Sequence, residues 1–297
     1  MEKEQYIWKP YATQDFKVDT SLSGPAATFN KNGGFSCFVD AGLSLTVTDA
    51  GTTAWGKQLI QQQNPPHKST GIMLSNAMSS LTMVSAGKLV LGETTVTTHI
   101  SLLDSQNLQL FVREVFFSNT HMQIFGGSLE MLGPNFSYLK IDNAVITVED
   151  NGGCHITPSF GEQKIDIAKN FYLMVTDTSS AQLDGVSVQP GASVQFNLQT
   201  IGEPDTPTVR LSGIDFLGEE SQNYPKGMFN FTTYDGKNNR GNFVLAGIGN
   251  AIQFNYMLQL ELVAIDGNSD RSYVNSRIDN QNIYQNGDMI VRLRFQK

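Results

Sequence analysis

Charge is scarce in this 297-residue chain. Asp, Glu, Lys and Arg make up 16% of it, against roughly 25% in ordinary soluble domains. The polar share falls instead to Ser, Thr, Asn, Gln and 27 Gly, the residues of strands and tight turns rather than of exposed helices. What charge there is leans acidic, net −8 from 20 basic and 28 acidic residues. That balance argues against sequence-specific nucleic-acid binding, because Lys and Arg on phosphate supply most of the affinity of such proteins.

Cysteine is nearly missing. Cys37 and Cys154 are too few for a disulfide framework and read as two buried thiols. No apolar run spans a bilayer: the longest, YMLQLELVAI at 256–265, is broken by Gln259 and Glu261 and is far short of about 20 residues. No transmembrane segment is expected. The opening residues MEKEQYIWKPYATQDF have no apolar signal region, so the expectation is a chain not exported by a signal peptide. Its expected place is a virion or the cytoplasm of the producing cell.

Motifs of chemistry are also wanting. The four histidines stand singly at 67, 99, 121 and 155, with no HxH, HExxH or CxxC pattern to bind zinc. Asp266-Gly267-Asn268-Ser269-Asp270 begins like a calcium loop, but Arg271 replaces the required glycine and Arg277 stands at the bidentate carboxylate position, which excludes an EF-hand. Gly247-Ile248-Gly249 lacks a phosphate-loop context, and no GxSxG elbow occurs. The expectation is therefore a non-enzymatic protein without catalytic residues, cofactor or metal.

KIDNAVITVEDNGGCHI at 140–156 is the stretch that looks most like a site. Val145–Val148 form a β-branched run suited to a pleated surface, and Asp150-Asn151-Gly152-Gly153 supplies turn residues for a hairpin. Cys154 and His155 fall on opposite faces of the returning strand, which a shared metal would not accept.

Strand patterns fill the rest. Between 80 and 168 come KLVLG, TVTTHI, LQLFVREVFF, MQIFG and AVITV; beyond 169 come FYLMVTD, SVQFNLQT, MFNFTTY and DMIVRLRFQK. TTAWGKQLIQQQ at 52–63 is the best helix candidate, stopped by Pro65-Pro66. In 252–262, Ile252, Phe254, Tyr256, Leu258, Leu260 and Leu262 alternate with amides and Glu261, Met257 excepted; in the last strand Met289, Val291, Leu293 and Phe295 alternate with Arg292 and Arg294. Such alternation reads as antiparallel sheet with one buried face. At roughly 18 residues per strand and loop, sixteen strands need about 290 residues. The expected fold is all-β: two tandem antiparallel β-sandwiches of jelly-roll type at 26–168 and 169–297, after an extended N-terminal arm at 1–25. A parallel β-solenoid across 80–200 is the rival, set behind because no fixed period near 20 to 25 residues emerges.

The functional expectation follows from surfaces. Gln195, Asn197, Gln199, Gln253, Asn255 and Gln259 give outward positions rich in neutral amides, compatible with protein–protein contact. A self-assembling structural protein is expected, most concretely a viral coat subunit of double jelly-roll type. Its partners would be copies of itself, as a trimer or higher assembly, and other virion proteins. Trp8, Tyr11 and Phe16 on the arm and Arg292 and Arg294 on the last strand are the expected assembly contacts. The alternative is a phage tail or fibre protein, or an adhesin, binding a receptor or carbohydrate through loops 217–226 and 266–288.

Overall fold

The computed structural model describes residues 14–18, 44–49, 69–73, 80–91, 97–133, 136–159, 164–202, 205–279 and 284–296. Its strands pair in parallel almost throughout, with the strand one coil later; the exceptions are at the C-terminal end, where Asp288–Val291 pairs antiparallel with both Tyr284–Gln285 and Asn242–Leu245. A first ladder runs from Gln14–Val18 and Ser44–Asp49 through 80–85 and 107–109 to Ser128–Met131, Gly153–Ile156, Ser180–Leu183, Thr208–Leu211 and Asn242–Leu245. A second joins 88–91, 114–117, 138–141, 164–167 and Val186–Val188. A third joins Ser69–Met73, Thr97–Leu103, Thr120–Phe125, 144–149, 170–176, Ser193–Gln199, Phe229–Thr232 and Val263–Ile265. The chain visits the three ladders in turn and so winds as a three-sided β-solenoid.

This corrects the expected antiparallel jelly-roll sandwiches: the chain is all-β in its described strands, but they stack in parallel. The alternation that suggested antiparallel sheet is equally the mark of a solenoid wall, which faces solvent on one side and the coil interior on the other. Thr120–Phe125 alternates buried and exposed at every residue. Leu129, Cys154, Ala181, Val209 and Phe243 lie in register and stack in one buried file. The missing period has a physical cause as well. Rungs are held by ladder positions, while the coils between them differ in length, from 21 residues between the partners Asn107 and Ser128 to 36 between Ser44 and Ser80. Residues 168 and 169, the expected division, lie within the strand Lys164–Thr176, where the register shifts between Ile167 and Asn170. The helix expected at 52–63 and Cys37 lie outside the described residues.

The acidic turn of the 140–156 stretch is a solenoid corner and not a hairpin. The strands on either side of it, Tyr138–Glu149 and Gly153–Ile156, pair with neighbouring coils instead of each other. Asp150 and Asn151 take φ of 50° and 63°, and the same corner one coil away uses Gly126 at 70° and Asp177 at 55°. The left-handed residues let a wall end abruptly and the next begin. The corners also bind one another: the Asp150 N–H donates to Asp177 Oδ2 at 3.1 Å, and the Gly152 N–H to Ser179 Oγ at 3.1 Å.

The C-terminal end is capped. Residues 252–262, expected as the clearest strand, instead contribute most of helix α1, Ala251–Gln259. Phe254, Met257 and Leu258 are its buried residues, an i, i+3, i+4 set, so the Met257 exception marked the helical face. Asn250 caps it, accepting from the Gln253 N–H at 2.9 Å while its own amide donates to Gln253 Oε1 at 3.0 Å. That is a side-chain N-cap reinforced by a side chain–side chain bond, without the backbone N–H bond of a full capping box. Helix α2, Arg271–Arg277, is capped by Asp270. The strand Asp288–Val291 closes the first ladder antiparallel to Asn242–Leu245, where two parallel continuations would leave an open edge.

Candidate functional site

The first wall repeats a four-residue unit at every coil. SLTM at 80–83, NLQL at 107–110, SLEM at 128–131, GCHI at 153–156, SAQL at 180–183, TVRL at 208–211 and NFVL at 242–245 lie in register. In the units from 107 onward the second and fourth residues point inward and all of them are buried. The first and third face solvent, as strand alternation requires. Two parallel files therefore run down this wall. One is short and polar apart from Gly153: Ser80, Asn107, Ser128, Gly153, Ser180, Thr208 and Asn242. The other is mostly longer and polar up to its last member: Thr82, Gln109, Glu130, His155, Gln182, Arg210 and Val244. Short side chains beside long ones make a shallow trough across the strands.

Much of the long file is fixed by hydrogen bonds between coils. The Thr82 hydroxyl donates to Gln109 Oε1 at 2.8 Å, and Gln109 Nε2 donates to Glu130 Oε2 at 2.8 Å. Further along, Asp184 at the wall's edge accepts from Gln182 Nε2 at 2.7 Å, Thr157 Oγ1 at 2.9 Å and Ser212 Oγ at 3.1 Å. Arg210 Nη1 donates to Asp288 Oδ2 at 2.6 Å. This bond, followed by one from the Gly247 N–H, holds the Asp288 carboxyl below its ordinary value. His155 stands exposed between the two fixed groups. Half-buried Phe111 follows Gln109 on the same outward phase and supplies a ring at the trough's side.

The other walls use their polar residues internally. On the second, Tyr138 OH donates to Asp166 Oδ2 at 2.9 Å and Gln189 Nε2 to Asp166 Oδ1 at 2.6 Å; burial and then the Asp166 hydrogen bond push the tyrosine up to about 12. A phenol held so firmly protonated braces the wall and does not act as a base near neutrality. On the third, Asn143 Nδ2 donates to Asn119 Oδ1 and Asn119 Nδ2 to Thr97 Oγ1. Asn197, expected among the free outward amides, is buried and bonded to Tyr172, Asn230 and Thr232. Gln253, Asn255 and Gln259 belong to helix α1, not to a sheet face.

The expected assembly residues do not converge. Trp8 and Tyr11 lie outside the described residues. Phe16 sits in the first strand, in register with Val47. At the other end of the ladder order, Arg292 Nε and Nη2 both lie 3.0 Å from Asp279 Oδ2, and Arg294 Nε donates to the Ile278 carbonyl at 2.8 Å. Both arginines thus tie the last strand to the end of helix α2. Phe295, expected inward, is exposed beneath the Arg240 guanidinium, 4.6 Å from the ring centroid. In the 266–270 loop, Asp266 accepts from Thr233 and Asp270 caps helix α2. Among the described residues, no three His, Cys, Asp or Glu side chains cluster to hold a metal, and no helix is long and apolar enough to cross a membrane.

Comparison with protein-family models, with curated proteins and with solved structures gave no match. The trough was missed in the sequence although its signal was there: short polar, apolar, long polar, apolar, repeated at uneven spacing.

Proposed function

We propose that the chain is a non-enzymatic binding protein of the tail-fibre or adhesin class, which holds an extended neutral polysaccharide along the first wall. The observation that carries this is the pair of in-register, largely polar files over seven coils. Parallel strands stand about 4.8 Å apart, so six intervals span about 29 Å, with roughly one pyranose unit per coil. Amides, hydroxyls, a carboxylate and an imidazole offer both donors and acceptors, which is what a chain of sugar hydroxyls needs. The net charge of −8 disfavours a polyanionic ligand. Inter-coil hydrogen bonds already fix much of the file, which lowers the ordering cost of binding.

The test is titration of the full chain against a panel of neutral and acidic polysaccharides. Binding of a neutral polymer that weakens about tenfold in His155→Ala and Gln182→Ala, and not in Gln195→Ala on the third wall, supports the reading. Failure to bind any member of the panel, or indifference to both first-wall variants, overturns it.

Self-assembly is the second reading, favoured by Leu103 and Phe125. They lie in register on neighbouring coils of the third wall and are 40% and 39% exposed, the type of adjacent apolar pair found at protein contacts. A fibre or other elongated virion component suits the parallel coil better than a double jelly-roll shell. Light scattering tests it: a monomer at high concentration would count against it.

A further inference from the structure

Two of the histidines that stand singly in sequence meet in the fold. His99 on Thr97–Leu103 and His121 on Thr120–Phe125 are register partners in the third ladder. Their ring centroids are 5.5 Å apart at 52°, and both residues are exposed. We propose that His99 and His121 together bind a first-row transition cation of the Cu(II) or Zn(II) class.

The spacing fits the chemistry. Imidazole nitrogens sit about 2.1 Å from a zinc-class ion in tetrahedral geometry, which places the centroids of two rings on one ion about 5 Å apart. The pair stands near that separation before any ion arrives, so chelation requires small side-chain rotation and no backbone movement. The surroundings leave the imidazoles available. The register partner of His99 on the preceding coil is Gly71, without a side chain, and that of His121 on the next is Val145. Beside them, Thr97 and Asn119, the latter just before its strand, bond each other, and Ser101 and Gln123 on the same strands are neutral. No carboxylate lies among these neighbours. Burial, and next to it His121, lower the His99 pKa, which favours the neutral form that ligates metal. Two protein ligands leave coordination positions open to water or to a donor from another molecule. Ligand order within the first row makes Cu(II) the tightest binder of the class.

The experiment is a calorimetric titration of the full chain with Cu(II) and with Zn(II), paired with electron paramagnetic resonance of the copper form. Expected are one ion per chain and a signature of imidazole nitrogen ligands. Affinity should fall more than tenfold in both His99→Asn and His121→Asn, with His155→Asn unchanged. Thermal melts in chelator confirm that the two variants fold as the parent does. Parent-like affinity in both variants, or a copper spectrum without imidazole nitrogen, overturns the site.

Discussion

Asn197 and Asn230 stand opposite each other on adjacent parallel strands, the Asn230 amide donating to Asn197 Oδ1 at 2.7 Å. Asn230 Oδ1 accepts in turn from the Gly267 N–H at 3.0 Å, so one side chain links three successive coils near the capped end. Asn230→Ala removes both bonds and leaves buried polar atoms without those partners. The expected cost is about 2 kcal/mol, measured as a lower denaturation midpoint in urea. A midpoint equal to the parent's would show that the ladder contributes nothing net.

The Arg210–Asp288 bond predicts an acid-sensitive closure of the stack. Asp288 titrates below its unfolded value of 3.8 because Arg210 and then the Gly247 N–H bond the carboxylate. A depressed carboxylate stabilises the fold above the unfolded pKa and loses that contribution as pH falls through the folded one. Melting temperature should therefore fall below about pH 4 more steeply in the parent than in Asp288→Asn. Parallel pH profiles would contradict it.

Gly152 is required by space. A Cβ there would lie 2.8 Å from the Glu149 carbonyl oxygen and 2.9 Å from that of Ile124, both of them backbone atoms with nowhere simple to go. Gly152→Ala should destabilise by about 1–3 kcal/mol, whereas Gly191→Ala, with nothing within 4 Å but a φ of +79°, tests backbone strain without crowding. Equal stability of Gly152→Ala and the parent in thermal melts would refute the corner geometry.

Cys154 should be chemically silent. Its side chain faces the coil interior, and burial pushes the thiol up to about 12, far from the thiolate that reacts. Alkylation mapped by mass spectrometry is expected at Cys154 only after denaturation. Rapid modification in the native protein would place this residue outside the core.

The sequence carried the strand content and the inward phase of most walls, because burial on one side imposes alternation whatever the strand direction. It did not carry direction itself: hydrogen bonds between coils are made by backbone, and side-chain pattern is nearly blind to them. The coil repeat escaped notice because its constant part is only four residues long, as in SLEM, GCHI and SAQL, while the corners between vary. In α1, alternation from Ile252 to Leu262 and the helical set Phe254, Met257 and Leu258 coexist in one segment. The Asn250 side-chain cap on the Gln253 N–H decides between them. The site was harder still. His99 and His121 are 22 positions apart, and the files of Gln109 and Gln182 exist only once coils are stacked in register.

The most direct test of the proposed role is the dependence of affinity on ligand length. Oligosaccharides of increasing size, drawn from whichever neutral polysaccharide binds, should be titrated against the full chain. If the ligand lies along the first wall, affinity should rise with each added unit and level off near six or seven, when the chain spans the roughly 29 Å of stacked coils. Affinity already maximal for a mono- or disaccharide would mean a compact site elsewhere and contradict the trough as the binding surface.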